Sequence, residues 1–199
     1  KDIIKNENSG TGDIWEEFRG KGNARDVLTA KGGELAKWIM IFSKADIDHM
    51  SSEHIKQGNG DLSSEARIYI RFECVFLYLH LADRKAAQVL KPDQRKIFVT
   101  KCYDDVNKYI TNLITNLTEV QAVAFNKEFK QQFNAHQEEY AKYNTEAQSR
   151  VAGTLMWEFG NKISSIISGG SADIFTIMSA MNTVTASSRA MDIDGLLSE

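Results

Sequence analysis

The sequence predicts an all-α fold, a helical bundle of about five main helices with a glycine-rich N-terminal arm. Three observations predict it. There is a single proline in 199 residues, so helix interiors are rarely interrupted. Apolar residues recur at three- and four-residue spacing over most of the chain, the period of one helix face. No stretch alternates apolar and polar residues as a half-buried strand does. No unit of about 20–50 residues repeats, which argues against a solenoid.

Composition narrows the class further. Hydrophobic residues make up 42% of the chain, enough for a globular domain to bury a core. The formal net charge is −3, and no block of like charge forms the basic stripe of a nucleic-acid binder. No apolar run reaches the roughly 18 residues of a membrane span, so no transmembrane segment is expected. No signal-peptide pattern stands at the start.

Residues 1–33 read as the arm. Gly10, Gly12, Gly20, Gly22, Gly32 and Gly33 break it, and Ile14, Trp15 and Phe18 would form one helical turn that docks on the body. The bundle domain is expected over residues 34–188 and an acidic C-terminal tail over residues 189–199.

The first helix opens at Glu34 with Leu35, Trp38, Ile39 and Phe42 in helical register. It turns polar after Ala45, and Ser51-Ser52 makes its continuation doubtful. After the glycine loop at Gly58 and Gly60, Asp61 or Ser63 would cap a second helix running to about Leu90. Lys91-Pro92-Asp93 starts a third, since proline lacks only an N–H that the first turn does not need. Phe98, Cys102, Val106, Tyr109, Leu113 and Leu117 mark its buried stripe.

Thr118-Glu119-Val120-Gln121 is a capping box. It opens a long helix through Phe125, Phe129, Phe133, Tyr140 and Tyr143, expected to continue to Ile167 with a bend at Gly153 or Gly160. Ser168-Gly169-Gly170-Ser171 ends it, and Ser171 would cap a last helix from Ala172 to Ser187.

The most apolar run, residues 67–84, also carries Arg71, Glu73, His80 and Asp83. A buried acid or imidazole is costly without a partner. On a helical wheel Glu73, Leu77, His80 and Arg84 share one stripe, and Arg67, Arg71, Tyr78 and Lys85 share another. The second holds three bases and reads as the solvated edge, which turns Glu73 and His80 inward. An antiparallel turn near Lys91 then sets His80 opposite Cys102 and Glu73 opposite Tyr109. The candidate buried polar pocket is therefore Glu73, His80, Arg84, Cys102 and Tyr109. The plainer alternative is that Glu73 and His80 are satisfied separately by neighbouring groups.

The same turn offsets Cys74 from Cys102 by about six residues, or roughly 9 Å. A disulfide needs Cα atoms within about 7 Å, so both thiols are expected reduced, in the cytoplasm. Cys102 lies in an apolar stripe, where a catalytic thiolate is disfavoured.

Asp46, His49 and Glu53 share a helix face and form a weak metal candidate. His136 and Glu139 read as a surface pair. The glycine pairs follow no strand, so no nucleotide motif survives, and no cofactor is expected.

From Ile163 to Ser188 the only charge is Asp173. Ile174, Phe175, Met178 and Met181 form a candidate interaction surface there, with methionine suited to adaptable contacts. The sequence thus reads as a non-enzymatic helical protein that binds a protein partner or forms a homo-oligomer. The alternative is a bundle that binds a small ligand or metal, in its strongest form an enzyme, around Glu73 and His80.

Overall fold

A computed structural model describes residues 24–113, 119–144, 151–170 and 173–198. They form an all-α bundle of seven helices: α1 (Ala24–Lys56), α2 (Ser64–Val89), α3 (Pro92–Leu113), α4 (Glu119–Tyr140), α5 (Leu155–Ser168), α6 (Ile174–Ala190) and α7 (Ile193–Ser198). Among the described residues, no helix is long and apolar enough to cross a membrane.

Helix α2 is the centre. All seven residues from Cys74 to His80 are buried, so neighbours surround it: it packs against α1, α3, α4, α5 and α7. The solvated edge expected at Arg67, Arg71, Tyr78 and Lys85 is therefore not one edge. Tyr78 is wholly buried, and only the two ends of that stripe reach water. Ser63 caps the helix by accepting from the Ala66 N–H at 3.1 Å. Asp61 instead closes the preceding loop, accepting from the Leu62 N–H and from the Ser51 hydroxyl.

Helix α1 begins ten residues before Glu34, so the expected arm is shortened to residues that lie outside the described ones, Ile14, Trp15 and Phe18 among them. Of the glycines that read as a break, Gly32 and Gly33 sit inside the helix, and Gly10, Gly12, Gly20 and Gly22 lie outside the described residues. A Cβ on Gly32 would stand 2.7 Å from the Phe98 carbonyl oxygen and 3.1 Å from the Lys101 Cβ. Glycine here lets α3 lie directly against α1. Ser51 does not end the helix either, because its hydroxyl is fully used: it donates to Asp61 at 2.9 Å and accepts from Arg67 at 2.7 Å.

Helix α3 starts at Pro92 as expected. Its buried stripe runs Phe98, Cys102, Val106 and Ile110, a steady step of four. Tyr109 and Leu113 are exposed, because the stripe drifts past them; Leu117 lies outside the described residues. Asp83 accepts two bonds from Arg95, at 2.7 and 2.6 Å, and ties α3 to α2. Both cysteines are free and buried.

The long helix expected from Thr118 to Ile167 is two helices. Helix α4 ends at Tyr140, where Arg84 donates to the carbonyls of Tyr140 at 3.2 Å and Tyr143 at 2.7 Å. A cation at those terminal carbonyls is the favourable end of the helix dipole. Thr154 then caps α5, and Gly153 turns with φ +82° just before it. Gly160 does not bend α5; it lets α6 approach, since a Cβ there would meet Ile177 at 2.9 Å. Asp173 caps α6 by accepting from the N–H groups of Phe175 and Thr176; Thr118 and Ser171, expected as caps, lie outside the described residues.

The acidic tail expected over residues 189–199 is mostly ordered structure. Met191, Ile193 and Leu196 are buried, and α7 packs on α2, with Lys85 donating to Asp194 at 2.7 Å. The three-residue apolar spacing outweighs the acid content.

Gly32→Ala tests the α1–α3 contact. Helix propensity alone would favour alanine by about 1 kcal/mol. The clash with backbone should reverse that, destabilising the protein by about 1–3 kcal/mol. Urea unfolding reads the sign, and an equal or more stable variant contradicts the packing described.

Candidate functional site

Glu73 projects from α2 beneath α4 and α5. One carboxylate oxygen accepts from His136 Nε2 at 2.8 Å and the other from the Tyr140 hydroxyl at 2.9 Å. The Lys162 ammonium stands 3.8 Å from the second oxygen and is bonded to Glu139 at 2.6 Å. It also lies 5.0 Å from the Tyr140 ring centre. The side chains of Glu73 and His136 are 15% and 12% exposed, so most of both charges is out of water.

Burial pushes the Glu73 carboxyl up, but the bond and charge of His136, with Lys162 and Tyr140, outweigh it and leave it below its ordinary value. Burial pushes His136 down, and Glu73 together with the Gln132 carbonyl outweighs that too, so the imidazole is raised. The Tyr140 hydroxyl is driven well up, by burial and then by the Glu73 charge. The cluster thus sets an imidazole raised above its ordinary value against a carboxyl held below its own, under a phenol driven up.

His80 lies about two turns further along the same face of α2. Its Nδ1 meets the Gln137 carbonyl oxygen at 2.7 Å, while the Gln137 amide donates to the Phe76 carbonyl at 3.4 Å. The proton therefore sits on Nδ1. Nε2 finds no partner among the described residues. Burial lowers the affinity of this imidazole for a second proton, against the pull of Gln137.

Of the pocket expected from the sequence, Glu73, His80 and Arg84 do share one face, turned inward as expected. The facing helix is α4, not α3. Cys102 lies at the α1–α3 contact beside Gly32, its thiol pushed up by burial. Tyr109 is on the exposed flank of α3. The antiparallel register around Lys91 misplaced both, because α3 turns its buried stripe chiefly to α1. His136, Gln137, Tyr140 and Lys162 were missed as site residues. The available signal was the aromatic series Phe125, Phe129, Phe133, which at helical spacing carries the same face on to His136 and Tyr140. The expected surface pair is likewise divided: His136 turns to Glu73 and Glu139 to Lys162.

Asp46 forms a second polar centre. It is buried in α1 and accepts from the Tyr78 hydroxyl of α2 and from the Ser187 hydroxyl of α6, the latter at 2.5 Å. Burial raises its carboxyl, against the two hydroxyl bonds and the nearby His49. Its oxygens are thus engaged by protein groups, and Glu53 is bonded to Lys56 at 2.7 Å. Among the described residues no group of three or more His, Cys, Asp and Glu side chains could hold a metal ion, the weak candidate Asp46, His49 and Glu53 included. An open groove of about 620 Å³ passes over this centre between α1 and α6, lined by Phe42, His49, Asn182 and Thr183 among others.

The start of α6 is different in kind. Ile177, Ala180 and Val184 face the core, while Phe175 is 74% exposed, Ile174 49% and Met178 41%. Met181 is half-buried and packs toward Gly160. The expected four-residue surface is therefore three residues on the outside and one within.

No protein-family model matches the chain, and neither the curated proteins nor the solved structures contain a match to it. The side-chain geometry is then what bears on function.

Tyr78→Phe should destabilise the fold by about 1–3 kcal/mol, because it leaves the buried Asp46 carboxylate short of a donor. Tyr109→Phe, on the exposed flank, should change stability by no more than about 0.5 kcal/mol. Chemical denaturation of the two variants separates them; equal effects would place Asp46 outside the core.

Proposed function

We propose that this is a non-enzymatic helical protein that acts by binding another protein or a second copy of itself through the start of α6. The observation that carries this reading is the exposure of Phe175 at 74%, flanked on the same helix by Ile174 and Met178. Large apolar side chains grouped on a surface mark interaction sites more often than scattered ones do. The surrounding stretch carries no charge between Asp173 and Ser188, and interface centres are depleted in charge. The helix beneath is fixed by its Asp173 cap and by the close contact at Gly160, so the surface is held in one shape.

The competing reading, a ligand pocket between Glu73 and His80, has less support. Protein groups already occupy both oxygens of Glu73. The buried, free thiols of Cys74 and Cys102 suit a reducing compartment, and we place the protein in the cytoplasm.

Removing α6 altogether is not a clean test, since Ser187 and Val184 serve the core. Phe175→Ser combined with Met178→Ser is cleaner, because exposed substitutions shift stability by only about 0.5 kcal/mol. Sedimentation should show the parent above its monomer mass, or carrying a stoichiometric partner. The double variant should lose that mass or partner at unchanged melting temperature. A parent that stays monomeric and partner-free, or a variant that behaves like it, overturns the proposal.

A further inference from the structure

We propose that α4 is a pH-sensitive cover over an aromatic face of α2 and α3, seated while His136 is protonated and loosened when it loses that proton. This goes beyond the α6 surface and does not rest on it.

The geometry of one ring carries the inference. His136 Nδ1 stands 2.8 Å from the Gln132 carbonyl oxygen, and Nε2 stands 2.8 Å from the Glu73 carboxylate. Both neighbours are acceptors only. A neutral imidazole has one N–H and one lone pair, so either tautomer would set a lone pair against an oxygen at hydrogen-bond distance. Only the imidazolium answers both. Loss of its proton replaces the ion pair between α4 and α2 with at most a neutral N–H···carboxylate bond, and it then sets the Nδ1 lone pair against the Gln132 carbonyl within α4.

The charged and titratable groups around the ring come from three helices. Helix α2 presents Glu73, α4 itself presents Glu139 and Tyr140, and α5 presents Lys162. Lys162 is bound to Glu139 and stands farther from Glu73 than His136 does, so it does not replace the lost charge. His80 of α2 is turned to Gln137. Helix α3 meets α4 through Tyr103 at Phe129 and Phe133, one turn away.

The sign follows from the two directions. His136 is raised above 6.5, so its contribution is complete below that pH and is lost as pH rises through the folded value. Glu73 is lowered below 4.5, so its contribution is present above that pH and is lost as pH falls through its folded value. The cover is tightest in mildly acid solution and loosens on the alkaline side.

Helix α4 is the element that such a change can free. Among its residues with described side chains only Phe129 and Tyr140 are fully buried. Its other apolar contacts are Phe125, Phe129 and Phe133 on Phe72, Phe76 and Tyr103, with ring centres 4.8–6.4 Å apart, and further polar ties run to His80, Arg84, Thr111 and Lys162. Elements with few buried contacts open locally before the fold does. When α4 lifts, Phe72, Phe76 and Tyr103 are uncovered together.

The test must be local, since Asp46 also makes the whole fold respond to acid. Residue-resolved amide exchange, corrected for intrinsic rates, is compared at about pH 6 and about pH 8.5, where a histidine changes charge. An NMR titration of the His136 ring accompanies it. Expected are a His136 midpoint above 6.5 and a loss of protection in α4 by about tenfold or more, with α1 and α3 unchanged. In His136→Gln, which keeps a donor toward Glu73 but cannot titrate, the pH difference in α4 should vanish. A midpoint at or below 6.5, an even loss across all helices, or a pH response that survives in His136→Gln overturns the proposal. Should that variant not fold, the parent titration and the regional comparison decide alone.

Discussion

The Glu73 carboxylate is drawn out of water in the middle of α2, and an ion so placed has to be answered on every side. His136 and Tyr140 answer it from α4, and Lys162 approaches from α5. Helices far apart in the chain are thereby aimed at one point. A buried pair of this kind adds little net stability over an apolar core, yet removing one partner typically costs about 3–5 kcal/mol, because it strands the other charge. Its effect is on arrangement: α4 and α5 have one seat on α2.

The second polar centre works on another face of the same helix. Tyr78 stands five residues after Glu73 and reaches Asp46, which in turn holds Ser187. Between them the two centres orient α1 and α6 on one flank of α2, and α4 and α5 on the other. Helix α3 is placed by different means, a glycine-permitted backbone approach to α1 and the Arg95–Asp83 pair. The exposed apolar start of α6 therefore stands on a rigid support, a condition for any surface that recognises a partner in a fixed shape.

How much of this was legible in the sequence depended on range. The fold class, the start of α3 at Pro92 and the inward direction of Glu73 and His80 follow from local period and capping, and all are seen. The facing helix was not legible. Periodicity says which side of α2 is buried but not which neighbour covers it, and the assumed hairpin register put Cys102 and Tyr109 where His136 and Tyr140 stand. Gly32 and Gly33 misled in the same way: their cost within a helix is local, while the α1–α3 contact they permit is not. Tyr78 was assigned to solvent because three bases share its stripe, although α2 has neighbours on every side. Ile193 and Leu196 carried an apolar spacing that the acid content of the tail obscured.

The bond between Asp46 and Ser187 closes a loop of 141 residues. Contacts of such separation form late, since the entropy of closing the chain must be met before they stabilise anything. During synthesis the first two helices emerge long before α6 exists, and Asp46 then has only the Tyr78 hydroxyl to receive. The N-terminal half is thus an incomplete core until the last helices leave the ribosome. Folding of this bundle therefore waits for α6, and a chain truncated before Ser187 keeps one of its buried carboxyls half-answered.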